Sequence, residues 1–107
     1  MGTKIITGVV NPNATLQFKS APFTLARTPG GNAKGDYTAT FAAGTWVVDG
    51  ADRIAVPSVT PIGNGRFLAG ASVSDKGDGS STMRFIFADA SGAPADTLFQ
   101  FFAIATW

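Results

Sequence analysis

The feature that most constrains this chain is an alternation of side chains at period two. From Asp36 to Ala42 it runs without a break, with Tyr37, Ala39 and Phe41 on one side and Asp36, Thr38 and Thr40 on the other. Successive side chains of a strand point to opposite faces, so this segment reads as a half-buried strand with one wet face. The same period marks Lys4 to Asn11, Thr15 to Lys19, Phe23 to Thr28, Arg66 to Ser74, Ser81 to Ala88 and Leu98 to Trp107. Turn residues separate these runs: Asn11-Pro12-Asn13, Pro29-Gly30-Gly31-Asn32, Asp49-Gly50, Lys76-Gly77-Asp78-Gly79-Ser80 and Asp89-Ala90-Ser91-Gly92. All seven acidic residues are Asp, and Asp favours turns where Glu favours helices. The expectation is an all-β chain: a single domain over residues 1–107, an antiparallel, jelly-roll-like β-sandwich of about eight short strands with essentially no helix. Pro57 makes Arg53 to Val59 an edge or a bent strand, since proline cannot donate to a ladder.

Composition removes whole classes of chemistry. There is no His and no Cys, so no Ser-His or Cys-His nucleophile, no imidazole base, no thiolate or imidazole metal site and no disulfide can be built. A net charge of +1, with the basic residues scattered singly, gives no stripe for tracking nucleic acid. No apolar run reaches the length of a signal peptide or a membrane span, so no membrane insertion is expected. The expectation is a non-enzymatic module with no cofactor and no catalytic residue. Asp89 and Asp96 could be a paired acid and base for glycoside cleavage, but Asp89 reads better as a ligand of turn amides and Asp96 as a strand cap.

Two segments resemble a known group of modules. Phe23-Thr24-Leu25-Ala26-Arg27 followed by Gly35-Asp36-Tyr37-Thr38-Ala39-Thr40-Phe41 is one. The other is the run from Phe85 to Phe99, with its Asp89-Ala90-Ser91-Gly92 turn, Asp96 and Phe99. Both resemble the small β-sandwich modules at the C-termini of bacteriophage tail-fibre and bacterial surface proteins, with a looser likeness to C1q-like and H-type lectin sandwiches. The likeness follows the order of elements over roughly residues 8 to 107, and only the two runs are specific. It implies a structural or adhesive role on a virion or an extracellular cell surface, as a homo-oligomer and commonly a homotrimer. The partners implied are a cell-surface glycan or another virion protein. Such modules usually follow a longer shaft, whereas this chain starts almost at the module. No ligand residue carries over from the resemblance.

Three groups of residues are candidates for contact. Trp46, Asp49, Asp52 and Arg53 place an aromatic, two carboxylates and a guanidinium in one loop, the parts from which a lectin-like carbohydrate site is made; the alternative is that Trp46 caps the core and the Asp residues make turns. Asp75 and Asp78 in Asp-Lys-Gly-Asp-Gly-Ser resemble part of a Ca2+ loop, although an EF-hand would need a Glu where Ile86 stands. The third group is the last strand. Phe99, Phe101, Ala103, Ala105 and Trp107 share one face, and Leu98, Phe102 and Ile104 share the other. A strand apolar on both faces is expected to lie centrally and covered on both sides, by a second sheet and loops or by a neighbouring subunit. Phe99, Phe101, Phe102, Ile104 and Trp107 are therefore the expected oligomer interface, with Trp107 either plugging the core or meeting a symmetry mate.

Overall fold

The computed structural model describes the whole chain, Met1–Trp107, which forms strands and turns and no helix. The strands are β1 (Thr3–Val10), β2 (Leu16–Lys19), β3 (Thr24–Arg27), β4 (Asp36–Phe41), β5 (Val47–Val48), β6 (Ala51–Asp52), β7 (Val56–Pro61), β8 (Arg66–Asp75), β9 (Ser81–Asp89) and β10 (Phe99–Thr106). Eight of them form two four-stranded antiparallel sheets, ordered β2-β1-β10-β7 and β3-β4-β9-β8, and β5 and β6 make a separate hairpin. The chain is thus an all-β sandwich, and the two-residue β5 and β6 account for the excess over the expected strand number. Pro57 and Pro61 lie in β7, which is an edge strand, where a missing N–H costs least.

The core is the meeting of the two inner faces. From the first sheet come Ile6, Val10, Phe99, Phe101, Ala103 and Ala105; from the second come Tyr37, Ala39, Phe41, Met83, Phe85 and Phe87. Alternation alone selects these residues, because each strand turns every second side chain inward. The aromatic rings meet tilted or edge-on, as ring quadrupoles prefer: Phe85 lies 4.9 Å from Phe101 and Phe87 lies 4.6 Å from Phe99. Gly8 stands beside Phe101 in the register. A Cβ on Gly8 would come within 2.7 Å of the Phe101 ring and 2.9 Å of the Phe23 ring, so only glycine leaves those rings room.

Candidate functional site

The loops singled out in the sequence meet at one end of the sandwich. Asp49 (φ 53°) and Gly50 (φ 75°) are the two central residues joining β5 to β6. Both in the left-handed region is the turn that matches strand twist, and Asp-Gly supplies it. This hairpin is tied to the β8–β9 turn by main-chain bonds from Gly44 N to Asp78 O and Trp46 N to Gly79 O, both 3.1 Å. Gly79 has φ 80°, and a Cβ there would lie 2.6 Å from Val47 Cγ2. The loops Trp46 to Arg53 and Lys76 to Ser80 are therefore one continuous surface.

Within that surface the predicted carbohydrate constellation does not converge. Trp46 is 1% exposed and packs edge-on against Phe41 at 5.5 Å, with the Lys4 ammonium 5.5 Å from its ring. It caps the core and has no free face on which a sugar could stack. Asp49 serves the turn. The Arg53 guanidinium lies 5.0 Å over the Trp107 ring, and Trp107 exchanges main-chain bonds with Gly2, at 2.6 and 3.1 Å. Asp52 turns the other way: burial, and then the neighbouring Asp75 carboxylate, raise its pKa. Three buried polar atoms at this end have no hydrogen-bond partner, Trp46 Nε1, Asp52 Oδ1 and Ser81 Oγ.

Asp75 and Asp78 are not placed as a Ca2+ loop. Asp78 accepts from Ser80 N at 2.9 Å and from the Ser80 hydroxyl, and Asp75 accepts from Gly77 N at 3.4 Å. These bonds are those of Asx turns at a hairpin tip. No three His, Cys, Asp or Glu side chains are grouped so as to hold a metal ion.

The carboxylates of the two quoted runs are engaged in structure. Asp89 accepts from Ser91 N, the Ser91 hydroxyl and Ala93 N at 2.7 to 3.1 Å, as the turn reading expects. Asp96 takes a bidentate contact from Arg27, both bonds 2.9 Å, together with Gly35 N at 2.7 Å and the Tyr37 hydroxyl at 3.1 Å. The Arg27 guanidinium holds the Asp96 pKa down at about 2 against the opposing effect of burial. Burial pushes the Tyr37 phenol up to about 12. On the second sheet Arg84 reaches the fully buried Asp36 through Nε at 2.9 Å and Nη2 at 2.6 Å, lowering its pKa to about 2.

The last strand divides cleanly. β10 is central, between β1 and β7. Phe99 and Phe101 are fully buried in the chain's own core, so neither can be an interface residue. Trp107 closes the end of the same core against Gly2 and Arg53. Phe102 and Ile104 lie on the outer face, half-buried and with no further layer above them; the expected cover on both sides is absent within the chain.

That outer face extends well beyond the two residues predicted. The register sets Ile5, Ile104 and Val56 in one row and Thr7, Phe102 and Ser58 in the next. A third row holds Phe18, Val9, Gln100 and Thr60, and Ile62 bonds to Leu98 beyond it. Ile5 is 51% exposed, Phe18 53%, Val56 53% and Ile62 50%. No charged residue occupies any of these positions. The one cleft lies elsewhere, an open depression of about 400 Å³ lined by Lys19, Pro22, Phe23, Thr24, Thr40 and Ala42. Sequence reasoning missed it because its walls come from separate strands.

Among known proteins, no family model matches the chain, and neither a curated protein nor a solved structure gives a match.

Proposed function

We propose that the chain is a non-enzymatic structural or adhesion module of a phage virion, at a tail-fibre tip or a similar position, or of a bacterial surface protein, and that it works as a homotrimer. The observation that carries this reading is the uncharged outer face of the β2-β1-β10-β7 sheet. The four strands, of four, eight, eight and six residues and about 4.8 Å apart, cover about 400 Å² in projection. That is near the largest apolar patch a typical monomer leaves open. Three such faces set around a threefold axis would bury one another with no charge to desolvate. The resemblance of the Phe23–Phe41 and Phe85–Phe99 runs to tail-fibre and surface modules supports the same reading.

The end formed by the Asp49-Gly50 turn and the Lys76–Ser80 tip would be the surface that caps a shaft or meets a host. With Trp46 buried in the core, its ring offers no face for a lectin site. Light scattering on the purified chain tests the assembly: a mass of about 33 kDa, three times 11.0 kDa, or a whole multiple of it is expected, and 11.0 kDa at every concentration would refute it.

A further inference from the structure

The two sheets have four edges, and three of them are closed. β2 and β3 are four residues each, too short to template a long partner. In β7 the Ile62 N–H bonds to Leu98 O, so even-numbered residues face β10 and Pro57, Val59 and Pro61 face outward. Two of those three outward positions are prolines with no N–H to offer.

β8 is different. It is ten residues long, and from Phe67 to Ser74 it carries no charge and no proline. Lys76 N bonds to Ser80 O, and Phe87 N bonds to Gly35 on the β4 side. Even-numbered β8 residues after the bulge at Leu68/Gly70 therefore pair with β9, and the main-chain groups of Ala71, Val73 and Asp75 point away from the sheet. The bulge blunts only the start of the strand; Gly70 to Asp75 is regular.

We infer that β8 is a strand-addition site whose occupant is the β8 of a second copy, antiparallel about a twofold axis through Val73. An antiparallel edge is its own complement under such an axis. Ala71 would pair with the second copy's Asp75, and Val73 with its counterpart, giving six main-chain hydrogen bonds by the alternation of the ladder. Centring on Val73 keeps the two Asp75 carboxylates on opposite sides of the axis. The side chains between them are Ser72 and Ser74, which face each other across the axis and oppose no like charge. The two β3-β4-β9-β8 sheets become one continuous sheet.

The site is independent of the apolar face of the other sheet, and the test keeps them apart. Amide hydrogen exchange, resolved by residue, is measured on the wild-type chain and on Ile5→Lys/Ile104→Lys, each from micromolar to millimolar concentration. In both chains the Ala71 and Val73 amides, which have no partner in one copy, are expected to slow by about 100-fold or more as concentration rises. Ser72→Lys/Ser74→Lys, on exposed positions, sets lysines against each other and is expected to abolish that slowing. Ala71 and Val73 amides that exchange as freely as a loop at millimolar concentration, while Ser72 and Ser74 are protected, overturn the inference even if the mass is that of a trimer. Slowing that survives the double lysine change also overturns it.

Discussion

The two sheets are both four-stranded and antiparallel, and their outer faces differ in chemistry. On the β3-β4-β9-β8 sheet the outward rows are Thr24, Thr40, Thr82 and Ser74, then Ala26, Thr38, Arg84 and Ser72. Hydroxyls dominate its centre, although Phe67 is 55% exposed near the start of β8, and its one buried carboxylate, Asp36, is answered by Arg84 within the same face. On the β2-β1-β10-β7 sheet the rows are Ile5-Ile104-Val56 and Thr7-Phe102-Ser58, with no charge to keep them in water. A face that satisfies its polar groups internally is complete as a monomer; an apolar one gains by being covered. The difference is the ground for placing the proposed interface on the β2-β1-β10-β7 sheet.

The contrast can be broken at several strengths. The largest effect separates the inner from the outer face of one strand: Phe101→Ala is expected to cost about 3–5 kcal/mol in urea unfolding, as for a buried aromatic, whereas Phe102→Ala costs under about 1 kcal/mol in the dispersed molecule. Arg84→Met comes next. It leaves Asp36 buried without its charged partner and bonded still by the Asn32 N–H, and is expected to lower the thermal midpoint by less than Phe101→Ala does, because Arg84 is 42% exposed.

Acid gives a smaller effect with a fixed sign. Asp36 and Asp96 have native pKa values of about 2 against an ordinary 3.8. Their contribution is whole above the ordinary value and disappears as pH falls through it toward 2. Stability should drop by about 1–2 kcal/mol per carboxylate in that window, allowing for the solvent-exposed guanidiniums, and Asp96→Asn should remove its share of the slope. At high pH the buried Tyr37 phenol reverses the direction: stability is whole below 10 and falls as pH rises toward about 12.

Much of this architecture is legible in the residues. Alternation through Asp36–Phe41 gives a strand with Tyr37, Ala39 and Phe41 inside; Pro57 gives an edge; Asp89 and Ser91-Gly92 give a turn. These signals are local, and local chemistry decides them. The sites are not local. Nothing near Trp46 tells a strand cap from a sugar platform, because its burial depends on Phe41 and Lys4 at other points of the fold. The Arg27–Asp96 pair joins residues 69 positions apart. The last strand shows two apolar faces in sequence, but which one is core depends on pairing with β1 and β7. Ile5, Phe18, Val56 and Ile62 become one surface with Phe102 and Ile104 only once that register is known.

The most direct test sets matched changes on the two faces and reads the mass. In a Ser72→Lys/Ser74→Lys background, where the β8 edge is blocked, Ile5→Lys/Ile104→Lys on the apolar face is compared by light scattering with Thr38→Lys/Thr40→Lys on the hydroxyl face. The expected masses are 11.0 kDa for the first and about 33 kDa, three copies of it, for the second. Equal masses for the two variants would contradict the account.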